Sequence, residues 1–391
     1  MCKFIDLKPL EFMDNTSLLD LESGNIIFNF NILIDVGFHG LKSPNTFKFS
    51  DSKIALYLWG CLDIIMNNTI FISETTQLFS GVIYAATGEG SFVLMNCLVI
   101  SNQRNESFHQ MGVIIDSHSP IILENNYISG WRCPNYRDFM HNNGAFCFLG
   151  SSSYLKVSNS RNFMANNNTF ANCSCITGGT IAIINYNTVA FKNATFINSK
   201  SIFGGDLAVF SSNVINIDSL FSSNSFAVKG SSIYFFQIFN IFVNNLNIVH
   251  SQNNEAVLFI IRSNIDINNA NISDAKSSKG SFMSIYGGQT NLKNSIFQNI
   301  NNTGIGGAIF INQKANLSME NVIAINITAF KSGGFLHVEF GEKIEIYNLQ
   351  VENLKSQQGS GILKLLVGQQ LEQCGISRSR KRRQLRQQLG P

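Results

Sequence analysis

The residues best suited to chemistry are a few acids and one imidazole. Asp116 and His118 stand two apart in the run IIDSHSP, and Asp206 and Asp218 fall in runs expected to form neighbouring strands. A carboxylate paired with a second carboxylate, or with an imidazole, can serve as general acid and base. Two carboxylates flanking a glycosidic oxygen can cleave it. Such a reaction needs the acids gathered on one face, with a Lys, an Arg or a calcium ion to balance the charge that develops. Here the acids are isolated. An Asp at a corner between short strands is more often a turn former than a catalyst. No catalytic, cofactor-binding or metal-binding residue is assigned from the sequence.

Two further groups carry potential chemistry. Of the eight cysteines, Cys133, Cys147, Cys173 and Cys175 lie closest together, and they could be bridged in an oxidising compartment or remain as thiols. No C-x-x-C pair or matching His spacing marks a zinc site. The second group is basic: Arg378, Arg380, Lys381, Arg382, Arg383 and Arg386 crowd the end of the chain and account for its net charge of +3. A run such as RKRR can contact nucleic acid. This one has no interleaved aromatic residues on which bases could stack, so no nucleic-acid partner is expected.

The elements that must position these residues repeat. Glycine-led runs open at Gly178 (GGTIAI), Gly204 (GGDLAVF), Gly230 (GSSIYFF), Gly280 (GSFMSIY), Gly306 (GGAIFI), Gly333 (GGFLHVEF) and Gly359 (GSGILKLL), with AVLFII at Ala256 in step. Successive openings are 24 to 27 residues apart, and an irregular earlier member, GAFCFLG, starts at Gly144. A fixed period of this length marks a solenoid, whose repeats bury their apolar faces only by stacking. Each repeat holds three short runs rich in β-branched and aromatic residues, as at Ile181–Ile184, Val189–Phe191 and Thr195–Ile197. These features predict an all-β, single-stranded parallel β-helix (a solenoid) with about three short strands per coil. A leucine-rich repeat has a similar period, but its L-x-x-L-x-L-x-x-N pattern and helical segment are missing.

Asparagine falls at fixed offsets. Asn193, Asn245, Asn269, Asn294, Asn321 and Asn348 form one set, and Asn198, His250, Asp274, Asn299, Asn326 and Asn353 a second, five residues on. Asn adopts the left-handed conformation of tight corners, and in coils about 4.8 Å apart its amides can stack into ladders. Between the two sets stand Phe196, Ile248, Ile272, Phe297, Ala324 and Val351, expected in the core. The pattern gives a cap or first irregular coils over residues 1–50, the β-helix over 51–366, and a basic tail over 367–391, expected to be disordered and dispensable.

Composition agrees with a large core: 45% hydrophobic, 14% charged, 33 Phe and only 5 Pro in 391 residues. No stretch of about 18 or more apolar residues predicts a membrane helix, and the first residues lack the apolar segment of a secretory leader. Ten N-x-S/T sequons occur: Asn15, Asn67, Asn105, Asn167, Asn172, Asn193, Asn271, Asn301, Asn316 and Asn326. Asn and Ser are abundant enough for chance to account for most of them.

The pairing of GGAI-like openings with F-x-x-N-like third strands resembles the repeat of chlamydial polymorphic outer membrane proteins. GGAI is literal at Gly306–Ile309, and F-x-x-N at Phe221–Asn224. Similar repeats occur in large surface proteins of ciliates. The resemblance covers residues 140–366 well and 50–140 loosely. It implies a right-handed pectin-lyase-like β-helix at a cell surface or secreted, with a structural, display or adhesion role toward an unknown protein or glycan, and a full-length form that is anchored. Many pectin-lyase-like β-helices cleave acidic sugars, so a polysaccharide lyase or hydrolase is the alternative. The N-T-D, G-H-G and R-I-K sets of polygalacturonases are absent from this sequence.

Overall fold

The computed structural model describes residues 92–101, 120–131 and 162–358 throughout, and elsewhere only strand segments. The chain is all-β: parallel strands stack into a solenoid with about 26 residues per coil, and no helix occurs among the described residues. The chain divides into two compact units. One comprises residues 1–201 and 207–213, the other residues 202–206 and 214–391.

In the first unit the strands Val113–Ser117, Phe146–Leu149, Ile181–Ile184 and Leu207–Phe210 pair in parallel, each with the next. A second set, Phe92–Met95, Ile121–Glu124, Asn162–Asn166 and Thr188–Ile197, does the same. Like residues stack in the core between them. Phe170 lies on Phe196 with ring centroids 4.9 Å apart, and Phe163 meets Phe191 at 5.3 Å. Asn126 and Asn168 are buried here. Each amide bonds backbone carbonyls, and Asn126 also donates to Asn168 Oδ1 at 2.9 Å. Buried amides that find these partners avoid the cost of leaving water.

In the second unit the short strands Ile233–Phe236, Leu258–Ile261, Met283–Tyr286, Ile309–Asn312 and Leu336–Val338 form one parallel row. Longer strands form another: Val214–Ser223, Asn240–Val249, Ile265–Ser273, Gln289–Ile305, Ala315–Ala329 and Gly341–Glu352. The corners are where the repeat places them. Every coil opening from Gly178 to Gly333 has positive φ, including Ala256 at 49°. At Gly230 a Cβ would lie 2.3 Å from the Ile233 carbonyl oxygen, so only glycine fits that corner unstrained.

Both asparagine sets are left-handed throughout, with φ between 50° and 61°. Asn321 Nδ2 donates to Asn294 Oδ1 at 3.2 Å, and Asn348 Nδ2 to Asn321 Oδ1 at 2.9 Å. Phe297 is fully buried, in register with Ile272 and Ala324. The expected corners, ladder and core row are therefore present.

The coil is partitioned differently from the sequence expectation. Val189–Phe191 and Thr195–Ile197 belong to one strand, Thr188–Ile197, which bends at Asn193; a further strand, Lys200–Phe203, completes the coil. The pairing skips the left-handed residue and resumes beyond it: Thr188–Lys192 pairs with Asn162–Asn166 and Thr195–Ile197 with Thr169–Ala171, so one strand serves two faces. The stack also runs on past residue 366. Gln370–Arg378 pairs in parallel with Gly341–Glu352, bringing Leu371 beside Ile344 and Ile376 beside Leu349. The sequence reading expected the basic tail over 367–391 to be disordered; the strand Gln370–Arg378 falls within that stretch. The Lys381–Arg383 cluster and Arg386 lie outside the described residues.

Candidate functional site

Asp206 precedes the strand Leu207–Phe210 and is fully buried. Ser222 Oγ donates to its Oδ2 and Ser225 Oγ to its Oδ1, each at 2.6 Å. The chain of hydroxyls continues from Ser222 to Ser232 at 2.8 Å, while Ser231 donates to Ser251 at 2.9 Å. All five serines are buried. A carboxylate removed from water is tolerated when both oxygens accept short, charge-assisted hydrogen bonds. The Asp206 carboxylate thereby ties together two serines of its own coil, and Ser222 passes the contact on to Ser232 of the next.

Asp218 does not join it. Asp218 is exposed on the strand Val214–Ser223, where Oδ1 accepts from Asn244 Nδ2 and Asn245 Nδ2, each at 3.3 Å. One acid faces the core and the other the solvent, so the pair considered from the sequence is not brought together. Asp116 lies in the strand Val113–Ser117 in register with Leu149, and His118 lies outside the described residues.

Asp218 instead ends an amide ladder. Asn268 Nδ2 donates to Asn244 Oδ1, Asn294 to Asn268, Asn321 to Asn294 and Asn348 to Asn321. The second ladder runs the same way, Asn353 to Asn326 to Asn299 to Asp274. Every amide points toward the lower-numbered coil, and a carboxylate receives the last donor. A carboxylate offers only acceptors, so it suits the end of a chain of donors all pointing toward it.

The densest set of ionisable and aromatic groups in the second unit lies along its short strands. Tyr234, Phe259, Tyr286, Phe310 and His337 form a continuous row, with successive ring centroids 5.1 to 5.8 Å apart. Phe259 and Phe310 face Ser284 in the intervening coil, and the Tyr286 ring leans into that gap. The residues just before three coil openings flank the row. Glu255 pairs with Lys229 at 3.8 Å and Lys279 at 3.4 Å, and the two ammonium groups lie over Phe259 and Phe310. Burial, then the charges of Glu255 and Glu339, push the Tyr286 hydroxyl far above the ordinary tyrosine range; burial alone raises Tyr234.

At one end of this row Ser332 Oγ lies 3.1 Å from His337 Nδ1, and Glu339 Oε1 3.7 Å from His337 Nε2. Asn312 Nδ2 holds the other Glu339 oxygen at 2.9 Å. A serine, a histidine and a glutamate in contact resemble a nucleophilic relay. Ser332 and His337, however, are both almost wholly buried, and the imidazole stacks on Phe310. The contacts fix the ring and present no hydroxyl to a substrate. Sequence reasoning missed this cluster and the Lys229–Glu255–Lys279 row. The coil period could have found the row, since each member stands immediately before an opening.

Among the cysteines considered, Cys175 is disulfide-bonded and Cys173 is a buried thiol whose Sγ lies 3.4 Å from the Ala171 carbonyl oxygen. Cys133 lies outside the described residues, and Cys147 sits in the strand Phe146–Leu149. No group of three or more His, Cys, Asp or Glu able to hold a metal ion occurs among the described residues. Among the described residues no helix is long and apolar enough to cross a membrane. Neither a family model, nor a curated protein, nor a solved structure matches the chain.

Proposed function

We propose that the protein is a non-enzymatic β-helix repeat protein of a cell surface or a secreted fraction, with a structural, display or adhesion role toward a protein or glycan. The observation that carries this reading is the use made of the acids. Asp206 is buried under serine hydroxyls, and Asp218 and Asp274 terminate exposed amide ladders. Asp206 spends its acceptors on serines of its own coil, and Asp218 and Asp274 theirs on amides of the next, whereas a general acid or base must reach a substrate proton. The GGAI and F-x-x-N repeats, similar to those of polymorphic outer membrane proteins and ciliate surface proteins, support the same class.

The test has two arms. Labelling intact source cells with a membrane-impermeant amine reagent should tag the protein, or it should be recovered from the medium. Tagging only after lysis contradicts the surface reading. Incubation with polygalacturonate should release neither reducing ends nor unsaturated products. Cleavage that disappears in Asp116→Ala establishes the lyase or hydrolase alternative instead.

A further inference from the structure

Seven of the sequons lie in the stretches described throughout, and the fold separates them. Asn167, Asn172, Asn193 and Asn326 occupy left-handed corners, with φ from 51° to 56°. Their amides are built into ladders: Asn193 Nδ2 donates to Asn167 Oδ1, Asn198 Nδ2 to Asn172 Oδ1, and Asn326 sits between Asn299 and Asn353. A sugar on Nδ2 there would have to fit between side chains stacked at about 4.8 Å. Asn316 is half-buried, and its Oδ1 accepts the Lys343 backbone N–H at 2.9 Å.

Asn271 and Asn301 differ in both respects. Each lies in a strand, Ile265–Ser273 and Gln289–Ile305, outside the left-handed corners. Each is exposed. Asn301 stands in register with Lys276 and Thr328, and Asn271 with Ile296 and with Asn247, to which no side-chain hydrogen bond joins it, so neither is a rung of the hydrogen-bonded ladders. Outward side chains on a solenoid strand have open solvent above them.

We infer that Asn271 and Asn301 are N-glycosylation sites compatible with the folded protein, and that the ladder sequons are not. The inference rests on the surface or secreted reading above. In the reaction, Asn Nδ2 attacks the anomeric carbon of an oligosaccharide carried on a lipid diphosphate. The C–N bond forms, the bond from that carbon to the phosphate oxygen breaks, the lipid diphosphate departs, and the amide proton passes to a base of the oligosaccharyltransferase. Transfer precedes folding, so a ladder sequon that is modified blocks its coil from stacking. Such molecules should be retained rather than secreted.

The experiment directs the full chain into the secretory pathway of a eukaryotic cell with a cleavable leader. Secreted and retained fractions are treated with a peptide amidase in heavy-oxygen water, and each sequon is scored by mass spectrometry. The secreted fraction should carry glycan at Asn271 and Asn301, with Asn193 and Asn326 modified only in the retained fraction. Asn271→Gln and Asn301→Gln should each remove one step of electrophoretic mobility. Secreted protein bare at both sites, or bearing glycan at Asn193 or Asn326, overturns the inference. If no chain is secreted, translation into microsomes followed by limited proteolysis supplies the readout: protease-resistant chains bearing glycan at Asn271 and Asn301 support it, and protease-resistant chains bare at both overturn it. Fractionation of the source cells separately tests the location, so failure of one reading is distinguishable from failure of the other.

Discussion

Asp206 is the residue at which burial and chemistry conflict most openly. Two hydroxyls at 2.6 Å hold its carboxylate inside the stack. Removing it leaves buried donors without their charged acceptor, which costs about 1–3 kcal/mol. Asp218 makes longer bonds in solvent, where a substitution costs about 0.5 kcal/mol or less. Chemical denaturation of Asp206→Ala and Asp218→Ala should therefore show a clear loss for the first and little for the second; equal losses contradict the structural role of Asp206. Tyr286 gives a pH-dependent counterpart. Its folded-state pKa is raised above the ordinary value of 10.0 by burial and by the charges of Glu255 and Glu339. A raised value means that the group's contribution is fully present below pH 10 and is lost as pH rises beyond it. Wild-type stability should fall in that alkaline window, and Tyr286→Phe should flatten the fall. An unchanged alkaline profile in the variant would show that another group titrates.

At the scale of the element, the corner is the unit that decides the coil. Asn321 supplies both a left-handed backbone and a rung of the ladder, with φ 54° and bonds to Asn294 and Asn348. Asn321→Gly keeps the backbone and loses the rung, whereas Asn321→Ala loses both. A left-handed Ala costs about 1–2 kcal/mol. Ala should therefore melt below Gly, and Gly below wild type; Ala equal to Gly would mean that the corner carries no backbone strain. These corners were legible because Asn, Gly and the core residues recur at fixed offsets, and register follows from period. The strand boundaries were less legible, since at Asn193 a left-handed residue bends a strand that continues beyond it with a new pairing partner. The candidate site was legible only as separate residues. Asp206 and Asp218 lie twelve positions apart, and only the burial of one and exposure of the other shows that they serve different faces. The Ser332–His337–Glu339 cluster shares the coil offsets, with Ser332 just before Gly333 and His337 in register with Phe310, but its three residue types recur together in no other coil.

At the scale of the whole molecule, stacked repeats make stability a sum of coils and their neighbour contacts. Each coil presents to the next the same row of strands, corners and ladder rungs, so one coil should be removable when the cut respects the period. Residues 256–279 form such a unit. Their deletion joins Glu255 to Gly280, another left-handed opening, and restores the junction that Ala256 makes. Deleting residues 256–267 removes half a coil and brings a core-facing row against an outward one. Thermal unfolding of the two deletion variants, followed by circular dichroism, tests the solenoid most directly. The full-coil deletion should keep a cooperative β-sheet transition while the half-coil deletion loses it. Loss of the transition in both, or its survival in both, would contradict a structure built from stacked, equivalent coils.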